Sequence, residues 1–127
     1  MKNKFRSDLS IAKNLGSAGS GTHHWWHQRF TAILLAFATF WVFCFSWALS
    51  GEELSGMLEV VQKPYHVIML SLFVVAGFYH AVLGMQTIIE DYVHCRIVRL
   101  CMLLSVQIFS IVTVIAFLVA VLYVMTL

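Results

Sequence analysis

Three stretches of this sequence are too long and too uniformly apolar to fold in water. Residues 30–49 are twenty positions without a charge. Residues 64–89 are twenty-six, interrupted only by His66 and His80. Residues 97–127 hold one charge, Arg99, near their start. A helix needs about 20 apolar residues to cross roughly 30 Å of hydrocarbon. All three stretches satisfy this, and the third has length to spare for tilting. Each is apolar all round, so none reads as an amphipathic surface helix, and three such helices would leave a soluble core without a polar face. Composition agrees: 61% of the 127 residues are hydrophobic and 11% charged, against about 25% charged in a soluble domain. Mean hydropathy is +0.86. An ordinary soluble globule, a disordered tail and, at a net charge of +2, a nucleic-acid binder are excluded. The expected fold is all-α and integral to a membrane. Its three transmembrane helices fall at about 27–49, 64–90 and 96–126, within an anchor domain of residues 22–127 that follows an N-terminal segment of residues 1–21.

The charges orient the spans. Lys2, Lys4, Arg6, Lys13 and Arg29 precede the first, whereas the first loop holds Lys63 among Glu52, Glu53 and Glu59. Arg96 and Arg99 flank the second loop, and no basic residue follows the third span. By the positive-inside rule the N-terminus and second loop lie on the cytoplasmic side, or the matrix side in a mitochondrion. No apolar run directly follows the early charges, so the N-terminus does not read as a secretory signal. Residues 50–63 read as a linker, with Pro64 opening the second helix where its missing N–H costs nothing. Cys44, Cys95 and Cys101 form no CxxC pair, which argues against a disulfide framework or a cysteine zinc site. Cys44 and Cys101 read as small buried hydrophobes. Ala76, Gly77, Ala81 and Gly84 give the second span small residues for close helix approach, expected to meet another subunit.

Against this background the polar residues stand out. His80 sits deep inside the second span, where an ionisable residue is a functional candidate by default. Gly77 and Gly84, at i−3 and i+4, share its face and would clear space for a flat, bulky group such as a porphyrin with His80 as axial ligand. The alternative is a histidine bonded to a neighbouring helix. His66 lies fourteen residues away, roughly 21 Å along a helix, so a second axial ligand would come from another chain. Asp91 follows His80 by eleven residues, within roughly 20° of the same helical face and about 16 Å nearer the cytoplasmic surface. With Tyr92 it suits hydrogen bonding to a quinone carbonyl and its protonation; an interfacial tyrosine beside a helix-end carboxylate is the alternative. Arg29 could meet an anion such as a haem propionate, or snorkel as a topology anchor. Trp25 and Trp26 fit an interfacial belt. His23, His24 and His27 match no zinc spacing.

Two segments carry a family resemblance. Ser20-Gly21-Thr22-His23-His24-Trp25-Trp26-His27-Gln28-Arg29-Phe30-Thr31-Ala32 resembles the entry to the first helix of the hydrophobic membrane anchor (D) subunits of succinate dehydrogenase, respiratory complex II. Phe78-Tyr79-His80-Ala81-Val82-Leu83-Gly84-Met85-Gln86-Thr87-Ile88-Ile89-Glu90-Asp91-Tyr92-Val93-His94 resembles the second-helix signature of that family, in which an intramembrane histidine is followed at +11 and +12 by Asp-Tyr. The resemblance covers about residues 17–127 and implies three helices in a heteromeric bundle. It implies that His80 ligates the iron of haem b, with the other axial histidine supplied by the cytochrome b (C) subunit. It implies further that Tyr92 hydrogen-bonds ubiquinone near the iron–sulfur subunit, that Asp91 is linked to that site and to proton uptake, and that Arg29 lies near the haem propionates and quinone. His27 is left without a role.

The expected function is that of a membrane anchor subunit of succinate:ubiquinone oxidoreductase, an enzyme of the tricarboxylic acid cycle and of electron transport. Succinate would be oxidised in a flavoprotein subunit, with no such site in this chain. Electrons would pass through the iron–sulfur subunit to ubiquinone at the membrane. A quinol:fumarate reductase anchor is the same architecture run backwards, and a haem-free structural anchor is the third reading. A channel or transporter would line several helices with charge, which the third span lacks after Arg99. The expected location is a bacterial inner membrane, with a mitochondrial inner membrane as the alternative.

Overall fold

The computed structural model describes residues 18–126. They form four helices: α1 (Ala18–Leu49), α2 (Leu54–Val61), α3 (Pro64–Tyr92) and α4 (Arg96–Val124). No strand occurs among the described residues. Three stretches are long and apolar enough to span a bilayer: Gly21–Leu49, Pro64–Tyr92 and Arg96–Val124, with mean hydropathies of 2.1, 2.1 and 2.5. The all-α membrane architecture read from the sequence therefore holds. Two boundaries differ from the expectation. Helix α1 begins at Ala18, well before residue 27, so that Ala18, Gly19, Ser20 and Gly21 are helical although glycine and serine are weak helix formers. Residues 50–63, expected to be a linker, contain α2. Eight residues are too few for apolar windows to detect.

Local chemistry sets the helix ends. Lys63 is held extended (φ −62°, ψ 127°), the region left to a residue that precedes proline. Pro64 then opens α3, where no intrahelical N–H is required. Helix α3 stops as Val93 leaves the helical region (φ −98°, ψ 102°), its N–H still bonded to the Ile89 carbonyl at 3.0 Å. Only three residues separate α3 from α4, so the two helices run antiparallel. The carbonyls ending α4 lack intrahelical donors. That of Val124 receives one from Gln62 Nε2 at 3.0 Å, which ties α4 to the segment between α2 and α3. Within the spans, hydroxyls return their protons to the preceding turn: Thr87 to Leu83, Ser105 to Cys101 and Thr113 to Phe109, at 3.1, 2.7 and 2.8 Å. Such back-bonding satisfies these three hydroxyl donors within their own helices.

Helix α3 is central. Both α1 and α4 pack along it, and α2 covers its first turns. The α1–α3 seam has a seven-residue rhythm. Thr31, Ala38 and Phe45 are the buried residues of α1, seven apart. Opposite them run the positions of Gly77, His80, Gly84, Thr87 and Asp91, spaced alternately by three and four. This is the spacing of a coiled-coil seam. Gly77 faces Leu35 and Gly84 faces Gln28, His80 faces Thr31, and Thr87 and Asp91 line one recess with Gly21 and His24. At the other end His66 sits 4.8 Å from the ring of Phe45 and 5.8 Å from that of Trp41, centroid to centroid.

Two expectations are corrected here. A Cβ added at Gly77 would meet Leu35 Cδ2 at 3.9 Å, and one at Gly84 would meet Gln28 Nε2 at 3.9 Å. Gly77 and Gly84 thus seat α1 of the same chain rather than clearing a cleft on that face, whereas Ala81 is exposed. Cys44 and Cys101 are exposed on this chain rather than buried, since a helix apolar all round has outward positions that lipid or a partner must cover. Of the most apolar window of each span, 11%, 11% and 6% of residues are buried. Most of the apolar surface is therefore left to the membrane and to neighbouring subunits.

The glycine seam is testable. Gly77→Ala places a methyl in ordinary contact and removes helical glycine, so it should be neutral or stabilising by up to about 1 kcal/mol. Gly77→Phe should overpack against Leu35 and destabilise by about 1–3 kcal/mol. Thermal unfolding in detergent separates the two; equal losses would show that α1 does not close on this face.

Candidate functional site

His80 lies on the face of α3 that meets α1, and is partly buried. Its Nδ1 is 2.8 Å from Thr31 Oγ1. Thr31 is buried, 8% exposed. Its hydroxyl also lies 2.8 Å from the His27 carbonyl and 3.1 Å from that of Gln28. His80 Nε2 has no hydrogen-bond partner among the described residues. The imidazole is thus held on one side and free on the other, the condition for ligating a metal through Nε2. The neighbouring-helix bond that stood as the alternative reading of His80 is present, and it engages Nδ1 alone.

One turn nearer the start of α1, His27 joins the same region. Its Nδ1 is 3.2 Å from the Tyr79 hydroxyl, and the rings meet edge to face at 82°. His23 stacks on His27 at 6.0 Å. His24 points elsewhere, into a recess of about 320 Å³ between α1 and the end of α3, lined by Gly21, His24, Gln86, Thr87, Glu90 and Asp91. The three histidines therefore do not converge. Among the described residues no group of three or more His, Cys, Asp or Glu side chains is placed to hold a metal ion.

Helix α3 continues through Asp91 and Tyr92, so the eleven-residue offset puts Asp91 on the His80 face. There it lines the recess with Glu90, which accepts from Gln86 Nε2 at 2.9 Å. His24 Nε2 is buried and unpartnered beside them. Tyr92 turns away from the recess. It is 78% exposed, and its phenol has no hydrogen-bond partner among the described residues. Arg29 is also exposed and lies 5.4 Å over the Trp25 ring, a cation–π contact that directs it toward the start of α1. It forms no ion pair among the described residues. The fold brings His80 and Asp91 to one seam and leaves Arg29 and Tyr92 outside it, available to something beyond this chain.

Sequence reasoning assigned nothing to Thr31 or His24. The usable signal was the alternation of three and four that joins Gly21, His24, Gln28, Thr31 and Leu35 on α1, matched by the same alternation on α3. Two polar stripes of equal spacing are expected to face each other.

Outside the membrane-spanning helices, Cys95 precedes α4. The N–H groups of Val98 and Ile97 hold its thiol below the ordinary value by favouring the thiolate.

Comparison with known proteins places this architecture. The profile of the succinate dehydrogenase/fumarate reductase transmembrane subunit family matches residues 3–122. The succinate dehydrogenase hydrophobic membrane anchor subunit of Rickettsia bellii is 42% identical over 119 residues, covering 94% of this chain and 95% of that protein. The same-named subunit of Rickettsia conorii is 42% identical over 120 residues, with the same coverage. That of Paracoccus denitrificans is 30% identical over 92 residues, covering 70% of this chain and 69% of its own. No solved structure matches the chain significantly. The chain belongs to the family of succinate dehydrogenase hydrophobic membrane anchor subunits.

Proposed function

We propose that this subunit supplies His80 as one axial ligand of a b-type haem and that Tyr92, with Asp91, helps form the site where ubiquinone is reduced. The observation that carries the reading is His80 itself: an imidazole inside a transmembrane helix, engaged at Nδ1 and free at Nε2. An ionisable side chain at that depth is a functional candidate by default. The other axial histidine would come from the cytochrome b subunit, because His66, this chain's other histidine within α3, lies fourteen residues away at the opposite end. A bound haem supplies a one-electron store between the iron–sulfur subunit and quinone.

Reduction of ubiquinone takes two electrons and two protons. The electrons originate in succinate oxidised at the flavoprotein subunit and arrive through the iron–sulfur subunit. The Tyr92 phenol donates to a quinone carbonyl oxygen and holds the ring at the membrane surface. Asp91 borders a polar recess with His24 and Glu90, an arrangement that supports proton movement from the aqueous surface toward the quinone oxygens. The exposed Arg29 guanidinium suits a propionate or another anion contributed from outside this chain. The start of α1 and the α3–α4 connection lie at one end of the antiparallel bundle, with the basic Arg29, Arg96 and Arg99. Lys63, Glu52, Glu53 and Glu59 lie at the other. That asymmetry supports a cytoplasmic N-terminus in a bacterial inner membrane. A second reading, quinol:fumarate reduction by the same site, is favoured by the family description, which covers both enzymes. The direction would be decided by the quinone potential.

Three outcomes test the proposal. His80→Ala should abolish or alter the low-spin b-type optical spectrum of the assembled complex, and an unchanged spectrum would remove His80 from the haem. Tyr92→Phe keeps the ring but loses the donor. A buried partner left unpaired costs about 1–3 kcal/mol, so succinate–quinone reductase activity should fall by roughly tenfold or more. Electron transfer from succinate to an acceptor that draws on the soluble subunits should persist. Wild-type quinone reduction would make Tyr92 an interfacial anchor only. Cys95 reports topology. A membrane-impermeant maleimide should label it in inverted vesicles and not in right-side-out ones. Because the thiolate is the nucleophile and is favoured here, the rate should climb with pH to half its maximum below the pH typical of an exposed thiol. Labelling from the outer side alone would reverse the proposed orientation.

A further inference from the structure

We infer that Thr31 is a positioning residue for His80, fixing which imidazole nitrogen is offered to the haem iron and how the ring is turned. The inference rests on the haem reading above and adds a residue to it.

The argument is one of proton counting. A threonine hydroxyl carries one proton and two lone pairs. The Thr31 hydroxyl lies within reach of three groups: the carbonyls of His27 and Gln28, at 2.8 and 3.1 Å, and His80 Nδ1, at 2.8 Å. A carbonyl can only accept, so the proton of Thr31 satisfies its own helix, and a lone pair is left facing His80. Nδ1 must then be the donor. A neutral imidazole carries one proton, so Nδ1–H leaves Nε2 with the lone pair that a metal needs. The opposite arrangement, Thr31 donating to Nδ1, would put the imidazole proton on Nε2 and block ligation.

Burial makes the arrangement decisive. Thr31 is one of the two buried polar residues among the described ones. At that depth in the bilayer no water replaces a lost partner. The hydroxyl is set on α1 by the seam itself, since Thr31, Ala38 and Phe45 are the buried positions of that helix. Helix α1 therefore determines the orientation of a ligand carried by α3. An acceptor on Nδ1–H also makes the imidazole a stronger donor to iron. It should stabilise the ferric over the ferrous state and hold the haem potential lower than an unpartnered histidine would.

The experiment compares Thr31→Val, Thr31→Ser and His80→Ala in the complete detergent-solubilised complex, with assembly judged by co-purification of the subunits. Val matches the shape of Thr and lacks the hydroxyl; Ser restores it. Haem retention against a competing haem-binding protein, the low-spin electron paramagnetic resonance signal and the haem midpoint potential are measured for each. Thr31→Val is expected to weaken haem retention by about 10–100-fold, move the midpoint potential positive and shift the low-spin signal, while Thr31→Ser stays at the wild-type values. Thr31→Ala, which adds no bulk, is read by the same criteria if Thr31→Val fails to assemble. Wild-type potential and retention in the hydroxyl-free variant, with haem lost in His80→Ala, would overturn the role of Thr31 and leave the haem reading intact. A wild-type complex without haem, or His80→Ala with an unchanged spectrum, would overturn the haem reading, and this inference with it.

Discussion

The packing of α1 on α3 is the constraint from which the rest of the structure follows. Helices α1 and α4 each pack chiefly on α3, and α2 caps the same central helix. The other buried polar residue among the described ones, Ser110, lies on α4, whereas Thr31, His80, Thr87 and Asp91 share the one α1–α3 seam. Its rhythm of three and four keeps matching positions opposed over several turns, as in any coiled-coil contact. What is unusual is its content. One half pairs apolar and aromatic groups, ending in the cluster of Phe45, Trp41 and His66. The other half pairs Thr31 with His80 and sets His24 beside Thr87 and Asp91.

A polar half-seam inside hydrocarbon is tolerable where its groups find partners or lie near the surface; His24 Nε2, buried without a partner, borders the recess at the helix ends. The Thr31 hydroxyl is satisfied by the carbonyls of its own helix and by His80. The recess holding Asp91 lies at the helix ends, where water reaches. Between them Gly84 lets α1 come close enough for the Gln28 side chain to lie over the α3 backbone. The polar residues are graded by depth: a histidine in the interior, carboxylates at the edge, and Tyr92 and Arg29 on the outer surface.

The exposed surface carries the complementary message. Phe37, Phe40 and Trp47 on α1 and Phe109, Val119 and Leu122 on α4 are largely uncovered. Chains of this family are named for anchoring other succinate dehydrogenase subunits, and so little internal burial fits a chain whose fold is completed by lipid and by its neighbours.

The sequence by itself determined the number of spans, their approximate limits and the candidates His80, Asp91, Tyr92 and Arg29. Long uncharged runs and isolated polar residues within them are one-dimensional facts, and the bilayer translates them directly into helices. Charge placement likewise carried the orientation argument. Only the tertiary structure decided which face of α3 meets α1. A helix apolar all round has no water-facing side to reveal its packed side, so Gly77 and Gly84 could be read as a cleft or as a subunit contact when they in fact seat Leu35 and Gln28. The same ambiguity hid Thr31, whose hydroxyl acquires a purpose only when a residue forty-nine positions away is brought within 2.8 Å.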